Sequence, residues 1–269
     1  MSLAMLLAAA LTLSCQGDFT QGGFAVCQVP PGAEILVDGE ALTTSDAQGH
    51  AVVGFDRDAK QAVRITARTA EASSELDLQI APREWRLQRV DGLPQETVTP
   101  TRPEVLRRIQ RDSAMKTAAL QGRAVQQGFL EAWRWPLEVA RVSGPFGAAR
   151  VLNGVAGRPH YGVDLAAPAG VAVVAPASGV VTLAETGMHF EGGLVFIDHG
   201  QGLTSMYLHL SEVTVAPGQL VEAGDLIGNV GATGRATGPH LCWRLKWRDR
   251  NLDPSLRAAA SQASLQQAP

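Results

Sequence analysis

Apolar and polar residues alternate in short runs separated by tight turns through the first third of the chain. Ala33 to Gly39, Gly49 to Phe55 and Ala62 to Ala67 read as strands, and alternation in Glu75–Ile80 and Trp85–Gln88 adds two more. Asp38-Gly39 suits a two-residue hairpin turn, so the runs on either side should pair. Residues 19–90 are therefore expected to form a small β-sandwich, in which His50 stands alone as a surface or turn histidine. The pattern then changes. Gly92-Leu93-Pro94 and Pro100–Pro103 break regular structure, and Glu104 to about Trp133 reads as a helix with Pro103 in its first turn. Val105, Ile109, Met115 and Leu120 give this helix a partly apolar face, while Gly122 and Gly128 weaken its second half. Residues 91–135 thus read as linker and helix.

From about Pro136 short strands return. Val171–Ala175 and Gly179–Val181 flank a turn, and Leu194–Gly200 with Leu203–Leu210 looks like a hairpin. Residues 136–256 form the expected second β domain, and the polar, alanine-rich tail 257–269 is expected to be disordered. The predicted class is mainly β. Composition agrees: 28 glycines and 15 prolines with only 5% aromatic residues suit many turns between short strands. At 269 residues and 45% hydrophobic, the chain can build one large domain or two smaller cores. A net charge of −3 leaves no electrostatic footprint for nucleic acid.

The start of the chain changes the expected compartment. Ser2 to Leu13 is nearly all apolar, the length of a signal-peptide core and too short to span a bilayer. Residues 1–14 are therefore expected to direct export to the periplasm, although no Lys or Arg precedes Arg57. Cys15 after Leu13-Ser14 leaves lipoprotein anchoring as a weaker alternative, and a buried first strand as another. Cys15 and Cys27 flank a turn-rich segment that could bring them together as one disulfide in an oxidising compartment. Cys242 is then left over.

The candidate chemistry lies in the second domain. His160 and Asp164, four apart, offer a nitrogen and a hard oxygen that one cation could share. His240 and Cys242, two apart in a strand, face the same side of a sheet. Zn²⁺ accepts nitrogen, carboxylate and thiolate, and hydrolytic sites commonly use three protein ligands. His160, Asp164 and Cys242 fill those places, leaving His209 and His240 to move protons. Coordination would also protect a lone cysteine from oxidation.

Several blocks in order carry a resemblance: Ser143–Gly147, Arg150–Gly154, His160-Tyr161-Gly162-Val163-Asp164, Tyr207–Leu210, and Gly231–Gly234 through Gly238–Leu241. Residues 141 to 254 resemble the lysostaphin/LytM-type zinc endopeptidases, which cut peptide cross-links of bacterial peptidoglycan. The resemblance implies a curled antiparallel sheet holding one zinc per chain. It makes His160 and Asp164 ligands, and His209 and His240 catalytic. Where the family's third ligand is histidine, this chain has Cys242. A neutral His-Asp-thiolate set should acidify water less than a histidine-rich one, so a slower hydrolase is expected. Asn153 and Arg158 are candidate substrate-binding residues, or simply loop structure. His189 and His199 lie in turns between strands and are minor candidates for touching substrate. Peptidoglycan peptide stems are the expected partner.

Two other readings remain. One is a noncatalytic relative that binds peptidoglycan or activates a cell-wall amidase or division partner. The other is a biotinyl/lipoyl carrier barrel, which needs an exposed lysine; none occurs between Lys116 and Lys246.

Overall fold

The structure, a computed structural model, describes residues 11–138, 141–258 and 266–267. It divides into two compact units, the first running to Pro82 and the second beginning at Arg83. Met1–Ala10, most of the expected export segment, lies outside the described residues, as do 259–265 and 268–269 of the expected disordered tail.

The first unit contains β1 (Ser14–Gly17), β2 (Phe24–Gln28), β3 (Glu34–Val37), β4 (Glu40–Thr44), β5 (His50–Gly54), β6 (Ala62–Arg68) and β7 (Ser73–Gln79). They form two antiparallel sheets, ordered β1-β2-β5 and β4-β3-β6-β7. Alternation explains the core: in β6, Val63, Ile65 and Ala67 turn inward to meet Ile35, Val53 and Phe55 while Arg64 and Arg68 stay out. Asp38 and Gly39 both have positive φ, 52° and 87°, and join β3 to β4 as the hairpin expected. Leu11 and Leu13, within the segment read as a leader, pack against this core. Cys15 stands directly opposite Cys27 across β1 and β2, and the two form a disulfide.

The second unit begins with β8 (Leu87–Val90), α1 (Gln95–Val98) and α2 (Pro103–Ala119). Then follow β9 (Arg141–Gly144), β10 (Ala149–Leu152), β11 (Val155–Ala156), β12 (Val163–Ala166), β13 (Ala172–Val174) and β14 (Gly179–Met188). The unit closes with β15 (Gly192–Asp198), β16 (Leu203–Leu210), β17 (Glu212–Val213), β18 (Leu220–Val221), β19 (Leu226–Asn229), β20 (His240–Trp247), β21 (Arg250–Leu252), α3 (Pro254–Ala258) and β22 (Gln266–Gln267). The main sheet runs β18-β14-β15-β16-β20-β12-β9-β22, with β21 on β20.

Two sequence expectations shift. The run Trp85–Gln88 was assigned to the β-sandwich, but β8 pairs in parallel with β10 of the second unit, so the boundary falls at Pro82 instead of residue 90. The helix stops at Ala119 instead of reaching Trp133. The following chain lies flat on the sheet, and its glycines permit the approach. A Cβ at Gly122 would come 2.7 Å from Asp198 Oδ2, and one at Gly128 would come 1.9 Å from the Ser178 carbonyl oxygen.

Both β15 and β16 are buried along their full length, because each face of the sheet is covered. On one face Met115 and Ala119 of α2, with the following Leu120, pack on Leu194, Phe196, Met206, Leu208 and Cys242. On the other, Trp133 stacks on Trp243 at 6.5 Å and Trp135 meets it tilted at 5.7 Å. The helix thus covers the face that carries Cys242. Among the described residues no helix is long and apolar enough to cross a membrane.

Candidate metal centre

Sheet register brings the candidate ligands together. Asp164 in β12 lies directly opposite Cys242 in β20, so both side chains leave the same face side by side. His160 precedes β12, and its Nε2 reaches within 3.0 Å of Asp164 Oδ1 and 3.4 Å of Cys242 Sγ. Among the described residues these three are the group whose ligand atoms all fall within 4.8 Å of one another. All three are buried. Two glycines make the room: a Cβ at Gly144 would sit 2.5 Å from Asp164 Oδ2, and one at Gly162 would meet Arg244, Trp243 and Cys242 Sγ.

The cluster fits a zinc ion. Ligands of a tetrahedral zinc, each about 2.0–2.3 Å from it, lie about 3.3–3.8 Å apart, close to the separations seen. Asp164 Oδ1 is buried and, although 3.0 Å from a ring nitrogen, makes no hydrogen bond. An orphaned carboxylate oxygen beside an imidazole and a sulfur is what a shared cation would satisfy. His160 Nδ1 faces the Pro145 carbonyl oxygen at 3.2 Å, which fixes the proton on Nδ1 and leaves the Nε2 lone pair for a metal.

Asp164 and Cys242 each have a guanidinium beside them. Arg150 Nη2 donates to Asp164 Oδ2 at 2.6 Å, and Arg244 Nε approaches Cys242 Sγ at 3.4 Å. Burial disfavours a charged Asp164, but His160 and Arg150 overcome it and hold the carboxyl well below the usual range. Burial likewise opposes protonation of His160, yet Asp164 and Cys242 raise its pKa on balance. Neither arginine was assigned a role from sequence. Arg244 lies two residues beyond Cys242 on the same face of β20, so its proximity was readable from strand periodicity.

His209 and His240 stand beside the cluster, their rings 4.7 Å apart. His240 Nε2 is 3.8 Å from Asp164 Oδ1. His209 Nδ1 faces the Thr233 carbonyl oxygen at 2.8 Å, and His240 Nδ1 faces that of Gly238 at 2.9 Å. Both therefore carry their proton on Nδ1 and present Nε2 as an acceptor. Burial pushes His209 down to about 4 and lowers His240 as well. His209 has φ 69°, a conformation costly for a non-glycine residue and held by its N–H bonding the Glu191 carbonyl oxygen.

The remaining candidates take no part in the cluster. Asn153 spends its amide on both backbone groups of Leu93, at 3.2 and 2.8 Å, and lines neither cavity beside the cluster. Arg158 is exposed and lines the larger one. His189 bonds the Glu96 carbonyl oxygen, and His199 is locked between Ser178 and Ser205. Tyr207 is a buried strand aromatic.

Comparison with known proteins agrees with this geometry. The pattern of peptidase family M23 matches residues 158–254. The solved structure of an M23 peptidase candidate from Pseudomonas aeruginosa is 32% identical, with a TM-score of 0.68, covering 90% of this chain and 96% of that one. The peptidoglycan DD-endopeptidase ShyC of Vibrio cholerae is 41% identical over 122 residues, 45% of this chain and 27% of its own. The murein hydrolase activator NlpD of Salmonella dublin is 31% identical over 125 residues, 46% of this chain and 31% of its own. The chain thus spans less than a third of the length of these curated relatives. Family pattern, a two-unit structural match and a His-Asp-Cys cluster in the expected place together show that the chain belongs to peptidase family M23.

Proposed function

We propose that this protein is a zinc-dependent endopeptidase acting on peptide cross-links of peptidoglycan, with Cys242 as the third ligand. The observation that carries the reading is the buried Asp164 Oδ1, which makes no hydrogen bond although it faces His160 Nε2 beside Cys242 Sγ. A bound zinc supplies a Lewis acid that polarises a carbonyl and acidifies water. His160, Asp164 and Cys242 would hold it, one ion per chain.

The two other histidines handle protons. With Nδ1–H tied to a backbone carbonyl, each Nε2 can accept the proton of a water that attacks the scissile carbonyl. The imidazolium so formed is then the donor that protonates the leaving amine. A neutral imidazole in this tautomer offers no Nε2–H, so one histidine cannot stabilise an oxyanion until it has been protonated. Arg244 draws negative charge from the sulfur and so offsets part of the neutrality of a His-Asp-thiolate set.

The Cys15–Cys27 disulfide supports an oxidising compartment, and with it export to the periplasm. A thiol held in that bond is not free for lipid attachment. The likeness to NlpD supports a second reading, a noncatalytic activator of a cell-wall amidase. Elemental analysis of the purified protein beside Cys242→Ser, with cross-link digestion, separates the two. The expected result is about one zinc per chain, weakened by the substitution, together with cleavage. Zinc-supplied wild type that binds none and cuts nothing would favour the activator.

A further inference from the structure

Two cavities flank the His160–Asp164–Cys242 cluster. One, of about 530 Å³, is lined in part by Ile109, Asp112 and Lys116 of α2; the other, of about 260 Å³, by Ser143 and Gly238–His240. Arg235 lines both, so it stands at the partition between them.

Most charged side chains of this region are already engaged. Arg150 grips Asp164, Lys116 pairs with Glu191, Arg244 meets Cys242, and Asp112 accepts from the His189 backbone N–H. Arg235 differs. It is half-buried, donates through Nη1 to the Thr97 carbonyl oxygen at 3.1 Å, and lies 4.9 Å from the centre of the Phe190 ring. Among the described residues no carboxylate forms an ion pair with it. Burial, followed by repulsion from Arg244 and Arg150, pushes its pKa down. Glu191 opposes this only at a distance, so the groove holds a partly buried guanidinium that no carboxylate contacts, which is costly.

We propose that Arg235 is a specificity-determining residue that binds a free carboxylate of the peptide substrate beside the scissile bond. This rests on the peptidase reading and names the substrate class: an acidic peptide. A guanidinium has five N–H donors in a planar fork, and Thr97 uses one, so a carboxylate can be taken in two parallel hydrogen bonds without displacing the existing contact. Anchoring it at the partition leaves the peptide chain to pass from one cavity to the other across His209, which lines both.

The test uses one labelled, cross-linked stem peptide in two forms, free carboxylate and carboxamide. Fluorescence anisotropy measures the binding of each to metal-free wild type, Arg235→Met and Arg235→Lys, and kcat/KM is measured on zinc-loaded protein. Wild type is expected to prefer the carboxylate form at least tenfold, about 1.4 kcal/mol. The preference falls to about one in Arg235→Met and is partly kept in Arg235→Lys. Each ratio is taken on a single protein, so altered folding of a variant is visible as loss of both ligands. Equal binding of the two forms by wild type, no binding of either, or an unchanged preference in Arg235→Met overturns the proposal. A preserved preference without hydrolysis refutes the peptidase reading instead.

Discussion

His199 should make the second unit acid-labile in a defined window. The residue is completely buried between β14 and β16, with Nδ1 2.8 Å from the Ser178 carbonyl oxygen and Nε2 2.7 Å from Ser205 Oγ. Ser205 Oγ is in turn 2.7 Å from the Tyr207 hydroxyl. The carbonyl can only accept, so Nδ1 carries the proton, Ser205 donates to Nε2, and Tyr207 donates to Ser205. A protonated imidazole would present two donors and force Ser205 to turn. Burial accordingly pushes the pKa of His199 from 6.5 down to about 4. Its folded pKa lies below its unfolded one, so the unfolded chain binds the extra proton. The stabilising effect of the neutral ring is complete above about pH 6.5 and is lost as pH falls towards 4. At about 1.4 kcal/mol per pH unit, this amounts to about 2 kcal/mol by pH 5 and about 3 kcal/mol in full. The assay is urea unfolding of metal-free protein from pH 7.5 to 4, followed by tryptophan fluorescence, for wild type and His199→Gln. The variant should begin less stable and lose about 2 kcal/mol less between pH 7 and 5. Parallel pH profiles for the two proteins would refute the reasoning.

Two further predictions concern the glycine under the cluster and the disulfide. Gly144→Ala places a methyl group 2.5 Å from Asp164 Oδ2, so it should displace that carboxylate and lower zinc affinity about 10- to 100-fold; competition with a chromophoric chelator measures this, and unchanged affinity would count against Asp164 as a ligand. The Cys15–Cys27 bond closes a short loop, so replacing both by alanine should cost the first unit about 3 kcal/mol. A thermal melt with and without reductant reads the loss, and coincident curves would contradict it.

Much of this was legible from residue order because strands declare themselves by alternation and ligands by spacing. The Asp38-Gly39 hairpin and the two β-rich regions follow from local pattern, whereas the joining of Cys242 to His160 and Asp164 rests on ligand chemistry and the family resemblance. What escaped depends on contacts between distant segments. Gly122 and Gly128 hint at a weak second half of the helix, but that they press against β14 and its neighbours is a property of the folded chain. The parallel pairing of β8 with β10 joins residues about sixty apart, so a short run that resembles its predecessors is claimed by the next unit. Asn153 looked available in a loop, yet tertiary structure spends its amide on Leu93. Arg235 was invisible as a functional residue because its lack of an acidic partner is a property of the folded groove.

The direct pairing of Asp164 with Cys242 ties coordination chemistry to the alignment of two strands. A slip of one residue between β12 and β20 would turn one of the pair to the opposite face, where Trp133 and Trp135 pack, and no two-strand ligand set would remain. Only the properly aligned sheet can present oxygen and sulfur together, so an ion captured there discriminates against misaligned sheets. The metal in such an arrangement would act as a proofreader of the fold as well as a reagent.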